Sequence, residues 1–277
     1  MKKMKFPLKE KYIAMLAPSF VVDFSYPKII YQLRDLGFDK VVELTFGAKM
    51  VNKNYQEYLK NTNKLAISSV CPGIVETINS INKKYSKNLI PVDSPMIATA
   101  KICKKIYPSH RLIFISPCNF KKLEAKKSKL INEVIDYKKL NYILIEQNLQ
   151  NKKYSKKKTY FDKFYNDYTK IYPLSGGLSK TANFKGIVKK EEVKIIDGMN
   201  KVNKFLSSSN SKIKFLDVTF CKGGCIGGPC INSKLPIFLR KRILTKYLNI
   251  AAKEKIPKGN KGIIEKASKI NFKKANK

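Results

Sequence analysis

Six cysteines and one histidine carry the most specific chemistry in this sequence: Cys71, Cys103, Cys118, Cys221, Cys225, Cys230 and His110. In an exported chain an even cysteine count would suggest disulfides. Here Met1-Lys2-Lys3-Met4-Lys5 runs into Phe6-Pro7-Leu8-Lys9-Glu10-Lys11 with no apolar leader or small-residue cleavage site. A cytoplasmic, reducing setting is therefore expected, and metal or redox chemistry is preferred. A structural zinc clip normally shows close C-x2-C pairs, whereas Cys221 and Cys225 are spaced C-x3-C and Cys71 and Cys118 lie far from them in sequence. Thiolates gathered from separate segments suit an iron–sulfur cluster better. The glycines of Cys221-Lys222-Gly223-Gly224-Cys225-Ile226-Gly227-Gly228-Pro229-Cys230 would let backbone N–H groups come close to an anionic cluster. A lone histidine, expected to be exposed before a strand, leaves little for a multi-histidine metal site or a Ser-His-Asp triad.

The elements that must position these groups alternate strand with helix. Tyr12–Ala17, Lys40–Thr45, Leu65–Val70, Arg111–Ile115, Tyr142–Ile145 and Lys214–Phe220 are apolar runs that predict strands. Helices are expected at Tyr26–Leu36, Tyr55–Asn61, Ile74–Lys84, Pro95–Tyr107, Glu146–Gln150, Phe161–Tyr168, Met199–Leu206 and Pro236–Asn249. Tyr172–Leu178 has the composition of a loop, Asn151–Lys158 that of an exposed connector, Ser207–Ser211 that of a turn, and Asn260–Lys277 that of a solvated basic tail. Such alternation predicts an α/β fold: two lobes, each a mainly parallel sheet flanked by helices, with the metal cluster between them. Cys71, Cys118 and Cys221 all fall at the C-terminal ends of expected strands, where α/β sheets place ligand sites. Cys103 lies inside a helical pattern and is expected to be a small buried hydrophobe.

The chain has 277 residues, 43% of them hydrophobic, enough for one large domain or two lobes sharing a core. No stretch approaches the ~20 apolar residues of a spanning helix. Lys plus Arg number 57 against 20 Asp plus Glu, a net charge of +37. That field would attract nucleic acid, anionic lipid or an acidic protein. Arginine occurs only at Arg34, Arg111, Arg240 and Arg242, and no zinc-finger, RNP or helix-turn-helix signature is present, so nucleic-acid binding is not the favoured reading.

From about Ala17 to Pro229 the sequence resembles the catalytic H-domain of iron-only (FeFe) hydrogenases. Leu16-Ala17-Pro18-Ser19 and Leu36-Gly37-Phe38-Asp39-Lys40-Val41 resemble its N-terminal segments, and Ser68-Ser69-Val70-Cys71-Pro72-Gly73 its first signature. Ser94-Pro95-Met96 resembles its Ser-Pro-Met variant. Ser116-Pro117-Cys118-Asn119-Phe120-Lys121-Lys122-Leu123-Glu124 is similar to the second signature, and Phe220-Cys221-Lys222-Gly223-Gly224-Cys225 to the third. The resemblance implies that Cys71, Cys118, Cys221 and Cys225 hold a 4Fe-4S cluster. Cys225 would bridge to a two-iron subcluster with CO, cyanide and a dithiolate bridge, the two together forming the H-cluster. It also implies that Ser19 and Lys121 hydrogen-bond the cyanides and that the reaction is reversible reduction of protons to H2.

Three departures qualify the expected rate. Val70 stands where prototypical members have the proton-relay cysteine, Lys53, Asn54 and Tyr55 roughly where they have paired glutamates, and Ser116 where they have methionine. A valine cannot titrate. The pattern is similar to the sensory or minimal branches, so slow turnover or another proton path is expected, with Cys103, Glu124 or Cys230 as replacements. No ferredoxin-like cysteine run precedes Tyr12, so electrons are expected from a ferredoxin or similar acidic carrier drawn to the basic surface. Maturation proteins are the other implied partners. The alternatives are a non-catalytic iron–sulfur protein related to cytosolic iron–sulfur assembly factors, and an H2 or redox sensor. Residues 1–259 are taken as one H-domain of two lobes and 260–277 as a basic C-terminal tail.

Overall fold

A computed structural model describes residues 4–154, 159–166, 168–208 and 212–274. Its strands are β1 Tyr12–Leu16, β2 Lys40–Glu43, β3 Ala66–Ile67, β4 Arg111–Ser116, β5 Glu133–Asp136, β6 Val193–Asp197 and β7 Phe215–Thr219. The α-helices are α1 Lys28–Asp35, α2 Thr45–Lys60, α3 Pro72–Ser80, α4 Pro95–Ile106, α5 Phe120–Ser128, α6 Tyr137–Glu146, α7 Gly177–Ala182, α8 Met199–Ser207 and α9 Ile237–Lys253. Two sheets form, ordered β2-β1-β4-β5 and β3-β7-β6, and every pairing within them is parallel. The fold is thus the mixed α/β arrangement expected, with parallel sheets flanked by helices.

Period-2 geometry explains why β1 reads as an unbroken apolar run. Along β1, Ile13 and Met15 face one core together with α2 and α4, while Ala14 and Leu16 face another with α1, α6 and α9. Both faces of β1 are covered, so none of its five positions is left for a charged residue. The second sheet repeats this on a smaller scale: Ile67, Leu216 and Val218 pack with α3 and α8, and Phe215 packs with Tyr55 of α2. Gly47 lets α2 cross close to α4, because a Cβ there would run into the Thr99 side chain and the Pro95 carbonyl.

Sheet order fixes where a site can lie. From β1 the chain passes through α1 to β2 on one side, and from β4 through α5 to β5 on the other. The switch point is therefore between β1 and β4, and the loops leaving their C-terminal ends carry Ser19 and Cys118. In the second sheet β3 and β7 are neighbours, and the loops leaving them carry Cys71 and Cys221.

Several local expectations are corrected. Tyr142–Ile145 is helical, within α6: the Asp136 side chain caps the Lys139 N–H, and Leu140, Ile143 and Leu144 are buried on one helical face. The fifth strand is instead β5, and α6 ends at Glu146, before the helix expected at Glu146–Gln150. The expected helix Phe161–Tyr168 does not form among its described residues. Phe161, Phe164 and Tyr165 are buried individually, and only Tyr168–Ile171 makes a short 3-10 turn. β6 and α5 were not anticipated as elements, and the Tyr172–Leu178 loop runs into α7. His110 is buried, with Nε2 2.6 Å from Asp39 Oδ2. The segment expected to be a solvated tail packs down through its described part: Ala267 and Phe272 are buried, and Lys273 bridges to Val92. Residues 275–277 of that tail, 155–158 of the polar connector and 209–211 of the Ser/Asn turn lie outside the described residues.

Candidate metal centre

Cys71, Cys118 and Cys221 lie in the loops that leave β3, β4 and β7, and local devices turn each of them and Cys225. Cys71 precedes α3 in extended conformation, and Pro72 starts the helix where a missing N–H costs nothing. Ser116 Oγ accepts the Cys118 N–H at 3.1 Å and donates to the Cys118 carbonyl at 3.2 Å. The same spacing recurs on the second sheet, where Thr219 Oγ1 donates to the Cys221 carbonyl at 3.3 Å. Cys225 is held by its N–H, which donates to the Pro173 carbonyl at 2.7 Å. Gly224 precedes it at φ +78°, and a Cβ there would strike that same carbonyl. Asp197, at the end of β6, braces the loop from below by accepting the Gly223 N–H at 2.8 Å.

These turns surround a cavity of about 100 Å³ whose lining includes Cys71, Cys118, Cys225, Ser19, Lys121 and Tyr172. Cys221 lies outside the lining but within electrostatic reach of Cys71 and Cys118. Burial pushes its thiol up to about 12, and those two sulfurs add to the shift. Cys225 has accessible surface, yet that surface faces the cavity, and burial with the other three sulfurs holds its thiol well above the ordinary range. The Cys118 thiol is raised likewise, by burial first and Cys71 second. Burial and neighbouring sulfurs disfavour the bare thiolates of Cys118, Cys221 and Cys225, a cost that a positively charged core would relieve. Among the described residues no three Cys, His, Asp or Glu side chains converge tightly enough for a single metal ion.

Lys121 projects from α5 into the same wall. Its Nζ donates to Ser94 Oγ at 3.1 Å and to Glu124 Oε2 at 2.6 Å, leaving one N–H over. Burial opposes its charge, but Glu124 and then the Cys118 and Cys225 sulfurs outweigh that and hold its pKa above the usual lysine value. Ser19 is fully buried, with Oγ 2.8 Å from the Tyr137 hydroxyl, which itself donates to the Ala17 carbonyl at 3.1 Å.

The structure separates the three replacement candidates. Cys103 is sealed in the α4 core, where burial raises its thiol. Cys230 is 3% exposed, and its Sγ donates to Asn119 Oδ1 at 3.3 Å. Only Glu124 reaches the cavity wall, through Lys121. Val70 itself lines the cavity, and behind it the Tyr55 hydroxyl accepts the Ser69 N–H at 2.8 Å. Sequence reasoning missed two contributors, Asp197 and Tyr172. The Tyr172 hydroxyl is buried and among the described residues has no hydrogen-bond partner.

The family model for the iron-only hydrogenase large subunit, C-terminal domain, matches residues 10–229. Iron hydrogenase 1 of Clostridium pasteurianum is 24% identical over an alignment covering 75% of this chain and 46% of that protein, so the chain spans about half the length of this curated relative. Among solved structures, one reporting stepwise assembly of the H-cluster in an FeFe-hydrogenase superposes with TM-score 0.67 at 14% identity, covering 97% of this chain and 92% of that one. A single-site variant of the FeFe-hydrogenase HydA1 from Chlamydomonas reinhardtii gives 0.66 at 14%, covering 95% and 90%. At these identities the superpositions speak to the fold.

Proposed function

The chain belongs to the iron-only hydrogenase large-subunit family, and from that membership we propose that it is a hydrogenase that reduces protons reversibly to H2. The observation that carries this reading is the convergence of Cys71, Cys118, Cys225 and Lys121 on one cavity at the C-terminal ends of two parallel sheets. Cys71, Cys118, Cys221 and Cys225 would hold the 4Fe-4S part of an H-cluster, with Cys225 also bridging to its two-iron part. When bound, that assembly would supply the iron chemistry by which two protons and two electrons give H2.

The chain's own residues set the conditions for this. Leu44, Ala48, Val70, Met96 and Phe114 make most of the wall apolar and exclude water. Lys121 offers its remaining N–H to an anionic ligand, a charge-assisted bond strengthened by the dry surroundings. Val70 presents methyl groups where a relay needs a titratable atom, so proton supply is slow. Electrons would arrive over the second sheet. There Lys194, Lys201 and Lys204 rim a surface groove beside Asp197, the residue that braces the Cys221–Cys225 loop. A basic rim of that kind suits an acidic carrier such as ferredoxin. Insertion of the two-iron part would need maturation proteins, and the reducing interior of a cell is the compatible setting.

The apolar Val70 wall, with Tyr55 in place of a carboxylate, favours one second reading, an H2 or redox sensor that keeps the cluster and turns over little. A non-catalytic iron–sulfur protein would keep the cysteines alone. Infrared spectroscopy separates them. Protein reconstituted anaerobically with iron and sulfide and loaded with a synthetic two-iron complex should show CO and cyanide bands displaced from those of the free complex. An intact 4Fe-4S signal without such bands would leave the non-catalytic alternative.

A further inference from the structure

Around the carboxylates of Asp93 and Glu124 stand three ammonium groups, those of Lys101, Lys121 and Lys274. Two of them are paired: Lys101 Nζ lies 2.5 Å from Asp93 Oδ2, and Lys121 Nζ 2.6 Å from Glu124 Oε2. Lys274 is the one in excess. It is half-buried, and among the described residues its Nζ donates only to the Ser69 carbonyl, at 3.4 Å. Glu124, Lys121 and Asp93 all lie within its electrostatic reach. Burial pulls the Lys274 ammonium below the usual lysine value; Glu124 opposes that, Lys121 adds to it and Asp93 opposes it.

Backbone pairing holds Lys274 there. The Asp93 N–H donates to the Phe272 carbonyl at 2.8 Å, the Lys274 N–H donates to the Pro91 carbonyl at 2.9 Å, and Val92 bridges antiparallel to Lys273. Extended pairing turns Phe272 and Lys274 towards the protein and Lys273 towards solvent. Phe272 is buried in the core of α2 and α4, and the Asn271 carbonyl accepts from Lys101 Nζ at 2.8 Å. The residue after Asp93 is Ser94, whose Oγ accepts from Lys121 Nζ at 3.1 Å. The segment Asn271–Lys274 thus reaches the surroundings of Lys121 twice, by backbone through Asp93 and Ser94 and by charge through Glu124. It lies beyond the residues that the family model matches. An ammonium in excess within a partly dry wall raises the positive potential there, and Lys121 is the member of the cluster that lines the cavity.

We propose that Lys274 is a positioning residue for Lys121: its ammonium offsets the charge of Glu124, so that this carboxylate holds the Lys121 ammonium less tightly and leaves more of its charge for an anionic group bound in the cavity. This rests on the hydrogenase reading and deepens it, because the group is taken to be the cyanide-bearing two-iron part. Lys274 is not among the residues lining the cavity and acts through Glu124 and Lys121.

Lys274→Met removes the ammonium, Lys274→Arg keeps the charge, and Lys273→Met removes a neighbouring charge that faces solvent. These variants and the unaltered chain are reconstituted, loaded with the synthetic two-iron complex and compared by infrared spectroscopy, with melting of the unloaded forms as a check on the fold. The expected result is a full set of CO and cyanide bands in all four, with at least one band at lower wavenumber in Lys274→Met, because Lys121 then gives a weaker hydrogen bond and the wall is less positive. Lys274→Arg and Lys273→Met should keep the unaltered band positions. Lys274→Gln, which keeps a polar end for the Ser69 carbonyl, is a second neutral variant and should move the same band the same way, even where Lys274→Met fails to fold. Bands unmoved in the neutral variants, or moved equally in Lys273→Met, would overturn the inference while leaving the hydrogenase reading intact. Absence of displaced bands in the unaltered chain would remove that reading, and this inference with it.

Discussion

Glu124 Oε2 lies 2.6 Å from Lys121 Nζ, one turn along α5, and so anchors an ammonium in the cavity wall that also has two cysteine sulfurs in electrostatic reach. The pair is a positioning device for a charge, and its two halves should fail differently. Lys121→Met removes the charge and is expected to lower H2 evolution of loaded protein by about a hundredfold. Glu124→Gln only loosens the anchor and should cost about tenfold. The 4Fe-4S absorbance should be unchanged in both, which checks that the loss lies at the ligand and not in the fold.

A second ion pair is structural. Lys170 and Glu43 are both fully buried, 2.5 Å apart, and the Tyr247 hydroxyl donates to the other Glu43 oxygen at 2.9 Å. Burial pushes the Glu43 carboxyl up, while Lys170 and Tyr247 work against that. Lys170→Met strands the carboxylate and should destabilise the fold by about 3–5 kcal/mol. Adding Glu43→Leu should recover part of that loss. Denaturant unfolding of the two variants checks the ordering.

Acid sensitivity has an identifiable contributor in Asp39. Its hydrogen bond from His110, helped by Lys40, holds the carboxyl below the usual aspartate value. A depressed carboxyl stabilises the fold above its unfolded pKa of about 3.9 and loses that contribution as pH falls through the lower folded value. Asp39→Asn should therefore melt lower than the unaltered chain near neutrality, and the gap should close below about pH 4. Melting temperatures measured across that range test the sign.

The lysine-rimmed groove over β6 and α8 should make electron delivery sensitive to salt. Lys201→Glu combined with Lys204→Glu is expected to lower the rate with an acidic iron–sulfur carrier, and added salt should slow the unaltered chain towards the variant. With a small uncharged or cationic dye as reductant the variant should match the unaltered chain.

Legibility of the sequence followed the physics of each segment. β1 and β4 were legible because both faces of a parallel strand are buried, which leaves unbroken apolar runs such as Leu112–Ile115. The same property misled at Tyr142–Ile145, where an apolar run of four is as compatible with the buried face of α6 as with a strand. β6 was missed because Lys194 and Ile195 are exposed on an edge strand, which breaks the run. The cysteine positions were legible from strand ends and glycines. The bracing of the Cys221–Cys225 loop was not, since it depends on which loops meet: Pro173 against Cys225, and Asp197 of β6 beneath Gly223. Burial of His110 and of the C-terminal segment likewise depends on distant partners, Asp39 and Val92.

Loaded with its cluster, this cavity should evolve H2. The most direct measurement is H2 release, with a chemical reductant and a dye mediator, by anaerobically reconstituted chain carrying the synthetic two-iron complex, beside Cys225→Ala treated identically. Slow but sustained H2 evolution from the unaltered chain, abolished in Cys225→Ala, is the predicted result. Equal H2 release from both proteins, or none from a chain whose infrared bands show the two-iron part in place, would contradict it.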